Sequence, residues 1–118
     1  MTQTYDSNNI FAKIIRREIP SKIVYEDEKI IAFHDAFPTA PTHILVIPKG
    51  EYRNFHEFSS KAGPEEISYF FKKIPEIASI VGAEDYRIVS NNGENSGQTI
   101  FHFHVHIISG RKISKLAD

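Results

Sequence analysis

Cysteine is absent from the chain, which excludes disulfide frameworks, thiol nucleophiles and thiolate zinc sites together, and fits a reducing compartment. Neither sign of charge dominates. Fourteen Lys and Arg stand against 15 Asp and Glu, a formal net charge of −1, so no long-range attraction to nucleic acid or to an anionic membrane is expected. Any phosphate binding must be local. No apolar run reaches membrane-spanning length and no basic-then-apolar leader opens the chain, so neither a span nor a secretory signal is indicated and a cytoplasmic location is expected. Repeats and low-complexity tracts are missing too. What remains is 118 residues, 41% hydrophobic and 25% charged, the size and composition of one globular domain over 1–118.

Residues 1–8 are polar and read as a flexible N-terminus. Asn8 or Asn9 can cap a helix whose apolar residues Ile10, Phe11, Ile14, Ile15 and Ile19 recur at helical spacing until Pro20 stops it. Lys22–Tyr25 and Lys29–His34 read as a hairpin with a solvated acidic turn, Glu26-Asp27-Glu28. Pro38 and Pro41 stiffen the loop that follows. The run His43–Pro48 suits a central strand, and the stretch from Tyr52 to Phe58 is ambiguous. Gly63-Pro64-Glu65-Glu66 opens a long helix running to Gly82, and Pro75 predicts a kink or a break within it. Tyr86–Ser90 reads as a further strand, 91–98 as a loop of turn formers, and 112–118 as a tail. The sum is an α+β domain: a mostly antiparallel sheet of about five strands, one short N-terminal helix and one longer helix.

The last strand, Phe101–Ile108, carries the chemistry. Alternation places His102, His104 and His106 on one face, roughly 6.5–7 Å apart, with Phe101, Phe103, Val105 and Ile107 on the other. Three readings follow. The imidazoles form a solvated face; they hold a metal ion, which needs His43, His34 or a carboxylate as well because the outer pair is about 13 Å apart; or they act on phosphorus. For the last, a neutral imidazole is nucleophilic near pH 7 once a carbonyl holds its second nitrogen, and His104, in the middle, suits attack. His34 reads as structural, and His56 receives no role.

The run Gly97-Gln98-Thr99-Ile100-Phe101-His102-Phe103-His104-Val105-His106-Ile107-Ile108 resembles the signature of the histidine triad (HIT) superfamily. Ile10–Pro20, Ala32-Phe33-His34-Asp35 and Ala40–Lys49 are similar, in the same order, to its Hint branch of purine nucleoside phosphoramidases. That resemblance implies a HIT-like fold and hydrolysis of purine nucleoside 5′-monophosphate conjugates at the α-phosphorus. His104 would be the nucleophile forming a nucleotidyl-histidine, with His102 and His106 flanking it and His43 holding or relaying protons. Asp35 would accept the ribose hydroxyls. Asn91, Gly97 and Thr99 would contact the ribose-phosphate, Gln98 would aid attack or departure, and Ile10, Phe11, Ile14 and Ile19 would form the purine slot. No cofactor and no metal are implied, and the partners are small nucleotides and a second copy of the chain, not nucleic acid or membrane. The sheets would join across the two-fold, with the long helix taking part. A dinucleoside polyphosphate hydrolase, a nucleotide-binding adaptor with vestigial turnover and a metal-dependent hydrolase stand as alternatives. Glu51 replaces a histidine that many Hint proteins carry in a proton relay.

Overall fold

In the computed structural model, which describes residues 3–116, five strands form a single antiparallel sheet. They are β1 (Ile23–Glu26), β2 (Ile30–His34), β3 (Thr42–Pro48), β4 (Arg87–Val89) and β5 (Val105–Ser109), in the order β1-β2-β3-β5-β4. The α+β architecture matches the expectation. Met1 and Thr2 of the N-terminal segment and Ala117 and Asp118 of the tail lie outside the described residues.

Period-two alternation divides each central strand between two layers. Ile30, Ala32, Ile44, Val46, Val105 and Ile107 face one way, onto Phe58, Phe70, Ile74, Ile77 and Phe103. Ile31, Phe33, Leu45 and Ile47 face the other way, onto Phe11 and Ile14. The helices on the first side are α2 (Phe55–Lys61) and α3 (Pro64–Ile80), and the helix on the second is α1 (Ile10–Ile15). No helix of the described residues is long and apolar enough to cross a membrane.

Four local departures from the expected elements have physical causes. First, α1 stops at Ile15, well short of Pro20. Arg17 turns into the left-handed region at φ 65°, its N–H donates to the Ile14 carbonyl at 3.0 Å, and the Glu18 N–H reaches back to the Lys13 carbonyl at 2.9 Å. This is a Schellman closure with arginine in the place usually held by glycine. Second, the acidic turn is not simply solvated. Asp27 accepts from the Lys29 and Ile30 N–H groups at 2.8 and 2.9 Å and from the hydroxyls of Tyr25 and Tyr69. Burial pushes the Asp27 carboxyl up, and these donors outweigh it and hold its pKa at about 2.

Third, α3 runs through Pro75 as one element. The proline ring sits on the exposed side of the helix while Ile74, Ile77 and Ala78 are buried, so packing holds the helix together across the missing hydrogen bond. Fourth, the ambiguous stretch resolves into α2. Asn54 caps it by accepting from the Glu57 N–H at 2.8 Å, a capping signal present in the sequence as Asn-x-x-Glu.

The histidine strand is also shorter than its alternating pattern, because the β3–β5 ladder ends at the Val46–Val105 pair. Its continuation would run alongside Pro48, which has no N–H to give. The chain instead turns the Phe103 N–H to the Tyr52 carbonyl at 2.8 Å. Residues 101–104 are therefore irregular, yet Phe103 still faces the α2–α3 layer.

Candidate active site

The alternating face of β3 and β5 that carries Leu45 also carries His43 and His106, and the irregular segment before β5 adds His104 and His102. A hydrogen-bond direction can be assigned to every ring from the backbone outward. The Thr39 N–H donates to His43 Nδ1 at 3.1 Å, so the His43 proton is on Nε2. That nitrogen lies 2.8 Å from His106 Nδ1 and 3.4 Å from Asp35 Oδ2. His106 Nδ1 is then the acceptor and its Nε2 carries a proton. His104 Nδ1 donates to the His102 carbonyl at 2.7 Å, which leaves Nε2 of His104 with an open lone pair. The Ser90 hydroxyl, donating to the His104 carbonyl at 2.9 Å, braces the same residue from the end of β4.

Desolvation keeps these imidazoles neutral. Burial lowers the pKa of His43 and of His104, in each case against an opposing pull from Asp35. Burial takes His102 down to about 4, and burial together with the neighbouring rings of His104 and His43 takes His106 to about 4. Unfolded, such rings titrate near 6.5. Between about pH 6.5 and 4 the unfolded chain therefore binds more protons than the folded one, and stability falls as pH falls through that window. Above it the contribution is fully present. The urea midpoint is expected to drop steadily between about pH 6.5 and 5, before carboxylates such as Asp27 begin to titrate. A midpoint that stays level over that range would contradict the burial of neutral rings.

Beside the imidazoles lies a cavity of about 640 Å³, within the range of small-molecule sites. Ile10, Phe11, Ile14 and Ile19 contribute apolar lining, and Asp35 and His43 contribute polar groups. The early end of α1 is what brings Ile19 to this lining rather than onto the helix. Phe11 also joins the cavity to the triad, its ring set edge-on to His104 with centroids 4.9 Å apart. One Asp35 oxygen accepts the Phe37 N–H at 2.8 Å and the other faces His43.

Other expected residues are placed differently. His102 is fully buried and both its nitrogens are engaged, Nε2 with the Pro48 carbonyl at 2.7 Å and Nδ1 with the Tyr5 hydroxyl at 2.5 Å. It flanks His104 in sequence, as expected, but with both nitrogens engaged it has no proton to offer a phosphate. Gln98 is buried with its amide spent on the Arg53 and Ile100 carbonyls and the Gly93 N–H, and it braces the loop instead of facing the triad. Asn91 and Thr99 lie on the loop between β4 and β5 and hydrogen-bond no triad ring among the described residues. Gly97, at φ 94°, closes a short 3-10 turn over Glu94–Ser96 there, its open side facing the Asn91 amide. His34 is exposed at the cavity rim and His56 is exposed on α2. Sequence reasoning missed Tyr5, Thr39 and Ser90. Only Tyr5 left a signal, as the single aromatic side chain in a polar arm.

Asp35, His43 and His106 each place one ligand atom within 4.8 Å of the others, a grouping able in distance to hold a divalent ion. Its surroundings oppose that use. A ligating imidazole donates its second N–H to an acceptor, whereas His43 Nδ1 receives one from Thr39, which puts the proton on the very nitrogen that would have to ligate. The cluster is arranged around a proton.

Residues 16–113 match the HIT domain family model. Among curated proteins, the chain is 53% identical over 116 residues to a HIT-like protein of Rickettsia prowazekii, covering 97% of each. It is 44% identical over 115 residues to a 14 kDa zinc-binding protein of Zea mays, covering 92% of this chain and 87% of that one. Among solved structures, a HIT family hydrolase from Clostridium thermocellum superposes with a TM-score of 0.87 at 37% identity, covering 95% of this chain and 98% of that one.

Proposed function

The chain belongs to the HIT family, whose structural relatives include hydrolases, and on that footing we propose that it cleaves the P–N bond of purine nucleoside 5′-monophosphate conjugates. The observation that carries this reading is the His104 ring: Nδ1 donates to the His102 carbonyl, so Nε2 is unprotonated and free. In the proposed reaction Nε2 attacks the α-phosphorus, a P–Nε2 bond forms, and the P–N bond to the amine breaks as the leaving nitrogen takes up a proton from water. The His102 carbonyl stabilises the imidazolium produced, and His106 Nε2–H donates to a phosphoryl oxygen as charge grows there. Water then attacks phosphorus, the P–Nε2 bond breaks, and a proton returns to solvent. The products are the amine and the nucleoside monophosphate.

Support for the nucleotide comes from the cavity. Its apolar lining of Ile10, Phe11, Ile14 and Ile19 suits a purine, and the Asp35 carboxylate in the same cavity suits ribose hydroxyls. Pairing of two copies is part of the proposal. Ile88 on β4, an edge strand, and Ile80 on α3 are both about half exposed, and a two-fold partner would cover them.

The metal-dependent alternative has the Asp35, His43 and His106 grouping in its favour. One experiment separates the two. Incubated with an adenosine phosphoramidate in excess chelator, the protein is expected to release adenosine monophosphate at its full rate. Activity lost to chelator and restored by zinc would transfer the assignment to the metallohydrolase.

A further inference from the structure

We propose that Tyr5 is a positioning residue of this site: its hydroxyl fixes the tautomer of His102 and, through the His102 carbonyl, aims the nucleophilic ring of His104. The kinetic part of this inference rests on the function proposed above. The geometric part does not.

His102 has no exposed surface, so each of its nitrogens must find its partner inside the protein. Nε2 lies 2.7 Å from the Pro48 carbonyl, a group that can only accept, so the proton must be on Nε2. Nδ1 is then a bare acceptor in a buried place and needs a donor. The Tyr5 hydroxyl, 2.5 Å away, supplies one. The opposite tautomer would set two lone pairs against each other at Pro48. Tyr5 is therefore what allows His102 to be neutral, satisfied and singly oriented.

Phenol, not phenolate, is the form present. Burial, with the negative charge of Glu51 nearby, raises the Tyr5 pKa above its ordinary value, so the hydroxyl keeps its proton at neutral pH. Glu51 thus bears on His102 through Tyr5. The arm that carries Tyr5 is tied on both sides. Arg53 donates to the Gln3 side chain at 2.5 Å, and Arg16 donates to the Ser7 carbonyl at 2.9 Å. Within the polar N-terminal segment, Tyr5 is thus the residue that meets the triad.

The link to chemistry is short. His104 Nδ1 is held by the carbonyl of His102, and Phe11 stands edge-on to both rings. If the His102 ring loses its only donor, a buried acceptor is orphaned and the residue turns or recruits water. The carbonyl that holds His104 moves with it. Binding of nucleotide, made by the cavity wall and Asp35, is not involved.

The test is Tyr5→Phe in the full chain, which removes one oxygen and keeps the ring. Turnover of an adenosine phosphoramidate is expected to fall about ten-fold in kcat with KM within about two-fold. In nitrogen-15 spectra of the imidazoles, His102 Nδ1 is expected to move toward the position of an unbonded imine, and the His104 ring signals to move with it. A kcat and a His104 spectrum both unchanged by the substitution would overturn the proposal, even if thermal stability dropped. Should the variant fail to fold, the unsubstituted protein decides: a hydrogen-bonded imine at His102 Nδ1 supports the assignment, and a protonated Nδ1 overturns it. An unsubstituted protein that releases no nucleotide overturns the function proposed above, and the ring spectra then decide the role of Tyr5 alone.

Discussion

His104→Asn lowers turnover of an adenosine phosphoramidate by at least about a thousand-fold while leaving nucleoside monophosphate binding within about three-fold of the unsubstituted protein. The choice of asparagine is physical. Its side-chain amide can still donate to the His102 carbonyl, the bond that Nδ1 of His104 makes at 2.7 Å, and it is small enough to stand edge-on to Phe11. What it lacks is the lone pair that Nε2 offers to phosphorus. The cavity lining proposed to hold the purine, and Asp35, are untouched, so affinity should survive the loss of chemistry. Single-turnover kinetics and a nucleotide titration measure the two separately. A rate that persists undiminished would remove His104 from the role of nucleophile.

Phe58→Ala is the substitution with the largest expected cost in stability, about 3–5 kcal/mol. Phe58 has no exposed surface. Its ring stacks on Phe103 with centroids 4.8 Å apart and meets Phe70 and Tyr52 edge-on, each at 5.2 Å. The short helix α2 contributes no other buried residue, so truncation leaves a void that nothing on that element can fill. Urea unfolding followed by circular dichroism measures the loss, and a loss below about 1 kcal/mol would show that the layer closes over the gap. Phe58 lies across the sheet from His43 and His106, so the fraction still folded should retain its turnover.

Alternation and turn chemistry made much of this protein legible from its sequence. The faces of β3 and β5, the α1 stripe and the start of α3 follow from period and punctuation, because those signals are local, whereas Phe101, expected on the core face with Phe103, lies under the Arg53 guanidinium and joins neither core layer. Where distant residues decide, the sequence was silent. The end of the β3–β5 ladder depends on Pro48, some fifty residues from the strand it shortens, and Asp27 of the acidic turn is held by the Tyr69 hydroxyl from α3. The four histidines could be read as a group, but their proton positions could not. Those depend largely on backbone atoms of Thr39, Pro48 and His102, whose positions no local pattern reveals, and for His102 also on the distant Tyr5 hydroxyl. Arg17 in a left-handed turn illustrates the same limit: the periodic stripe continues to Ile19, and nothing in it announces that the helix ends earlier.

Strands β3 and β5 lie side by side, yet α2, α3 and β4 intervene along the chain. The contact between His43 and His106 consequently spans 63 positions of sequence, the kind of long-range closure that slows folding. During synthesis, a chain still missing residues 101–109 holds His43 but neither His104 nor His106. On the proposed mechanism, turnover therefore requires the completed pairing of β3 with β5, and a partly unravelled molecule would lose it.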